Sequence, residues 1–170
     1  MDRYNGVARA LHWTMALLII LALVLGIGHD ALPKDWVVIP IHKSIGLTVL
    51  ALTLVRIVWR LANPAPRLTV AMPSWEKGAA HATHALFYIF MIVLPLSGWI
   101  MTSAGTRPLN WFFLFDVPKF PVTKGDLIVD LAGEGHEVMG FIWAALILLH
   151  VGAALRHHYL LKDDVMRRML

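Results

Sequence analysis

The sequence predicts an all-α fold, an integral membrane four-helix bundle, and three observations predict it. Of 170 residues, 58% are hydrophobic and only 15% are charged, whereas soluble domains carry about 25% charged residues. The mean hydropathy is +0.67. Four apolar stretches, at about residues 10–28, 41–61, 78–102 and 136–159, each approach the ~20 residues a helix needs to cross a ~30 Å hydrocarbon layer. Four spans leave little chain for anything else, so residues 1–170 read as a single transmembrane domain.

The first stretch runs from Ala10 to Gly28 without Asp, Glu, Lys or Arg. It has no small-x-small cleavage site after it, and its apolar run is long for a signal peptide. It is therefore expected to stay as a span. The second stretch carries Arg56 and Arg60 near its end, where long basic side chains can reach the interface. The third has no formal charge, and the fourth is uncharged between Val138 and Leu155. Residues 29–40 read as a short loop broken by Pro33 and Pro40, and residues 62–77 as a loop stiffened by Pro64, Pro66 and Pro73. Residues 103–135 read as a long loop. Within it, Trp111 to Phe115 is too short to span and suits the membrane–water interface.

An even number of spans puts both termini on one side. That side would hold Arg3, Arg9, Arg56, Arg60, Arg67, Lys77, Arg156, Lys162, Arg167 and Arg168. The other side would hold Lys34, Lys43, Arg107, Lys119 and Lys124. Basic residues mark the cytoplasmic side, so the termini are expected to be cytoplasmic and the protein multi-pass. The formal charge of +4 then reflects loops meeting anionic lipid, with no nucleic acid as partner. Cysteine is absent. That excludes disulfides, thiolate metal ligation and covalent Cys-x-x-Cys-His haem attachment.

Nine histidines remain, and a histidine within a span is costly unless it has a partner. His136 and His150 are fourteen residues apart. At about 100° per residue they return to within roughly 40° of one face, about 21 Å apart along the axis. Depth matching sets His12 against His150 near the cytoplasmic end and His42 against His136 near the outer end. Each pair can supply two axial imidazoles to a haem iron. Gly46 and Gly140 lie one turn beyond His42 and His136, where a missing side chain admits a flat macrocycle. The plainer alternative is that each imidazole hydrogen-bonds between helices. Zinc suits the spacing less well, because it wants four compact ligands. A di-iron carboxylate bundle needs Glu-x-x-His, which is lacking. His81 and His84 sit near the cytoplasmic end of the third span. Either is an alternative to His12 as ligand, a propionate contact or part of a quinone pocket. His157-His158-Tyr159 closes the last span, as an interfacial anchor or as a proton donor. His29 and the tail containing Lys162, Asp163, Asp164, Arg167 and Arg168 carry no functional expectation.

The segments Ala10-Leu11-His12-Trp13, Ile41-His42-Lys43-Ser44-Ile45-Gly46, Ala80-His81-Ala82-Thr83-His84, and Gly135-His136-Glu137 through His150 to Tyr159 resemble the prokaryotic cytochrome b561 family. The likeness extends from Tyr4 to Arg168. More distantly the chain resembles the cytochrome b subunits of hydrogenases and formate dehydrogenases. The resemblance implies two b haems, with His12 and His150 holding the inner one and His42 and His136 the outer. Arg56 and Arg60 would meet propionates. It implies a superoxide oxidase, in which superoxide yields an electron at the outer haem and ubiquinone is reduced near the inner one. His157, Ser74, Lys77 and Gly78 would form that quinone site. His42 and Lys43 would receive superoxide. The outer segments hold five basic against seven acidic residues, so attraction of the anion rests on a local basic patch. The same acidic balance suits the second expectation, an electron-transfer subunit docking a periplasmic redox protein.

Overall fold

The computed structural model describes residues 3–32, 37–64, 66 and 72–170. Pro33, Lys34, Asp35, Ala65 and Arg67, all placed in loops above, lie outside the described residues. Four long helices dominate: α1 (Gly6–Ile27), α2 (Val38–Ala62), α3 (Ser74–Ser103) and α4 (Leu127–Leu155). Each packs on its neighbour in sequence, and α4 closes more sparsely on α1. All four are long and apolar enough to cross a membrane.

Burial follows the logic of a lipid solvent. Leu17 is 68% exposed and Leu148 is 74% exposed, because lipid tails welcome what water rejects. The core is thin: Met15, Ile19, Ile45, Val49, Phe90, Met91, Leu94 and Trp143. Buried Thr53 returns its hydroxyl to the Val49 carbonyl at 2.7 Å, so no polar atom is stranded there.

Several boundaries move. Pro40 lies in the first turn of α2, where the absent N–H has no partner to lose. Helix α4 begins nine residues before the expected span, and the long connection shrinks to residues 104–126. Asp126 precedes the helix, its side chain accepting from Thr123 N at 2.7 Å and making no bond to the first turn of α4. The first turns of α4 are amphipathic, so hydropathy alone does not register them. Pro95 sits inside α3.

The two ends of the bundle differ. At the terminal end, Asn5 caps α1 by accepting from Ala8 N at 2.8 Å. It also accepts from Trp59 Nε1 of α2 at 3.2 Å. The C-terminal segment folds back on α1, where Trp13 Nε1 donates to the Met169 carbonyl at 2.8 Å. At the hairpin end, Asn110–Trp111 (β1) pairs antiparallel with Phe115–Asp116 (β2), Trp111 opposite Phe115. The turn carries Phe112 and Phe113 at φ 46° and 62°, a left-handed conformation that the docking must sustain. Ser44 of α2 supplies it, accepting from Phe112 N at 2.9 Å. Trp111 Nε1 donates to Thr48 Oγ1 at 3.0 Å. Phe113, Leu114 and Phe115 remain exposed at the tip.

Candidate haem and quinone sites

The structure brings the four span histidines together in the two pairs that depth predicts. The His42 and His136 ring centroids are 6.0 Å apart. Those of His12 and His150 are 6.4 Å apart. Two metal–imidazole bonds of about 2.0–2.1 Å, plus roughly 1 Å from each nitrogen to its ring centre, put centroids about 6 Å apart. Both pairs therefore fit one iron between two imidazoles. A Cβ built at Gly46 or Gly140 meets nothing within 4 Å, so the faces beside the pair are open.

The hairpin-end pair is oriented as ligands need to be. His42 Nδ1 lies 2.8 Å from the Ala22 carbonyl on α1. A carbonyl only accepts, so Nδ1 carries the proton and Nε2 keeps its lone pair. His136 Nδ1 lies 3.1 Å from the Leu94 carbonyl and 3.0 Å from Ser97 Oγ. Ser97 itself donates to Leu94 O at 2.8 Å, so its oxygen is free to accept from Nδ1–H. Both rings rest on glycine. A Cβ at Gly26 would stand 2.7 Å from His42 Cε1, and one at Gly98 would stand 3.1 Å from His136 Cε1. Ser97, Gly26 and Gly98 contact the paired histidines and were not singled out from sequence. Only small-residue spacing within the spans hinted at the glycines. A cavity here is lined by His42, Lys43, Gly46, Pro95, Gly98, Trp99, Leu109 and His136. Leu109, at the root of the hairpin, is 2% exposed. Arg107 and Lys119 approach Lys43 closely enough for their charges to repel. Lys119 is held there by donating to the Gly105 carbonyl at 2.6 Å.

The terminal-end pair has company. His84 lies 6.0 Å from His150, ring centre to ring centre, as near as His12. Phe87 packs on His150 at 5.1 Å. Geometry alone leaves His12 and His84 both within reach. Our expectation for His12 predicts that His84→Ala keeps two low-spin haems, whereas His12→Ala loses the inner one. Pyridine haemochrome titration and ferric electron paramagnetic resonance (EPR) spectra read the difference. Retention of both bis-imidazole signals in His12→Ala would assign the inner ligand to His84. Arg56 is drawn toward this site. Its charge acts on His12, His84 and His150, and its Nε donates to the Tyr88 hydroxyl at 3.4 Å. Arg60 instead lies over the Tyr4 ring at 5.7 Å. His81 is exposed beside them.

The expected quinone residues assemble at the start of α3. Ser74, Lys77 and Gly78 form its first turns, and His157 faces that turn through Glu76. Beyond α4 the helix widens into a π-helical turn, Arg156–Leu161, which buries His157. Such turns recur at functional sites. Glu76 and Asp163, neither of them singled out from sequence, contact His157.

Among the described residues, no three His, Cys, Asp or Glu side chains converge to hold a metal ion. The arrangement is two layers of paired imidazoles, about four helical turns apart along α4, within four membrane spans. That defines a membrane cytochrome b bundle. The family profile described as prokaryotic cytochrome b561 matches residues 3–170. The chain belongs to the prokaryotic cytochrome b561 family, whose members are haem b proteins of membrane electron transfer. It is 30% identical to cytochrome b561 homolog 2 of Escherichia coli K12, over 99% of this chain and 92% of that protein. It is also 30% identical to a probable superoxide oxidase, CybB, of Yersinia pestis, over 99% of this chain and 96% of that one.

Proposed function

We propose that the protein oxidises superoxide at its hairpin end, on the periplasmic side, and reduces ubiquinone at its terminal end, on the cytoplasmic side of the bacterial inner membrane. His42 and His136 hold one b haem, and His12 and His150 hold another. When bound, the haems carry single electrons between the two ends. Each superoxide loses one electron and leaves as dioxygen. Two electrons with two protons convert ubiquinone to ubiquinol.

The observation that carries this reading is Lys43, which lines the same cavity as His42 and His136 and has Arg107 and Lys119 within electrostatic range of it. Net outer charge is acidic, yet Lys43 stands where an anion must arrive. A local positive field raises the encounter rate of a small anion even on a neutral or acidic protein. The relative named as a probable superoxide oxidase supports the same activity. Arg56 beside the inner pair is suited to a propionate.

The test is stopped-flow mixing of oxidised, detergent-purified protein with a superoxide pulse, followed at the haem bands. Reduction near the diffusion ceiling of about 10⁸–10⁹ M⁻¹s⁻¹ is expected. Lys43→Glu should slow it roughly tenfold at low salt, and the difference should shrink as ionic strength rises. Haem that dithionite reduces but superoxide does not would overturn the reading.

One observation favours a second reading, an electron-transfer subunit without catalysis of its own. Asp126, Asp130, Glu134 and Glu137 are all exposed. Their spacing of three or four residues lays Asp130, Glu134 and Glu137 along one face of α4, with Asp126 just before it. That stripe suits a basic periplasmic redox protein. Such a subunit would stay oxidised under superoxide and be reduced by its partner.

A further inference from the structure

The segment after α4 is not a solvated tail. Lys162 takes a left-handed φ of 54°, which ends the π-helical turn and swings Asp163 back beneath His157. Asp163 Oδ2 lies 2.5 Å from His157 Nδ1. Asp163 Oδ1 accepts from Val165 N at 3.0 Å, so the carboxylate is fixed at both oxygens. His157 is 8% exposed. On its other side, Nε2 is 3.8 Å from Glu76 Oε2, beyond hydrogen-bond reach. Glu76 Oε1 is taken by Arg156 at 3.1 Å. The charged groups facing His157 are therefore Asp163 from the tail, Glu76 from α3, and Arg156 from its own turn.

We propose that Asp163 is the positioning residue for proton delivery to the quinone. A carboxylate accepts only, so Asp163 keeps a proton on Nδ1 and fixes the ring. That leaves Nε2 as the nitrogen facing the turn at Ser74, Lys77 and Gly78. Protons leave from Nε2. In each transfer the Nε2–H bond of the imidazolium breaks as an O–H bond forms on a quinone oxygen. The electron comes from the inner site, and Nε2 regains its proton from water at the exposed rim. Two such cycles complete ubiquinol. Holding an imidazole in one tautomer is what a buried aspartate does for catalytic histidines elsewhere. The inference rests on the quinone site proposed above.

The test uses the haem-loaded, full-length protein, reduced and then mixed with a soluble ubiquinone analogue. Haem reoxidation is followed in wild type, Asp163→Asn, Asp163→Glu and His157→Ala. Asp163→Asn is expected to slow reoxidation roughly 10²-fold, with haem spectra and superoxide-driven reduction unchanged. Asp163→Glu should recover most of the rate. In ¹⁵N-histidine-labelled protein, the His157 Nδ1–H signal should be present in wild type and altered in Asp163→Asn. If His157→Ala is slow but Asp163→Asn runs at the wild-type rate, the role of Asp163 is overturned and the quinone site stands. If His157→Ala itself reoxidises normally, the quinone site fails and the inference with it. A wild-type His157 protonated only on Nε2 overturns the assignment without any variant.

Discussion

His42→Ala is expected to halve the haem content of the purified protein and to abolish its reduction by superoxide. His42 is one of two imidazoles in the hairpin-end pair, 6.0 Å from His136. Without it the iron keeps a single protein ligand. His136 cannot compensate, because with Nδ1–H committed to Leu94 O and Ser97 it offers a single ligating nitrogen, Nε2. The inner pair, at the other end of the aromatic core, should keep its low-spin spectrum. His136→Ala should behave alike, while His150→Ala should lose the other haem and leave the outer one reducible by superoxide but unable to pass electrons on. Pyridine haemochrome assays and stopped-flow spectra on the three variants separate these outcomes. Equal loss of both haems in every variant would mean that the sites are not independent.

Gly26→Val should have an effect almost as large, although glycine touches neither iron nor substrate. A Cβ at Gly26 would lie 2.7 Å from His42 Cε1, far inside van der Waals contact. Relief requires the ring to rotate away from Ala22 O, and that breaks the bond which orients Nε2. Overpacking of this kind costs about 1–3 kcal/mol in a packed core. Here the cost falls on ligand geometry as well as stability. Outer haem should be lost selectively, with the inner haem intact. Gly98→Val should follow in a milder form, since its contact with His136 is 3.1 Å. A variant that binds two haems normally would show that the glycines are only packing residues.

The hairpin shows why some of the site escaped the sequence. Trp111 to Phe115 read as an interfacial cluster from its aromatics, and its exposed tip agrees with that. Nothing local indicated that Ser44, two residues beyond His42, would anchor it. The anchoring is a contact across more than sixty residues, and periodicity carries no such information. Asp163 is a similar case. In sequence it belongs to a charged tail, and only the left-handed Lys162 turns it toward His157. Glu76 lies in the first turn of α3, where the helix dipole favours any carboxylate, so its residue type alone carries no functional signal.

By itself the sequence determined the four spans and the absence of any thiol chemistry, and it led to the expectation that His12 pairs with His150 and His42 with His136. Hydropathy and helical periodicity are local properties, and a membrane restricts long apolar segments to helices. Depth then follows from counting residues along each span. The tertiary structure alone decided that His84 stands as near to His150 as His12 does. It also decided that glycines on neighbouring helices seat the outer imidazoles, and that Lys43 shares their cavity. These depend on the rotation of each helix about its axis and on how loops fold back. Both are set by side-chain packing between distant segments, which no single stretch of chain encodes.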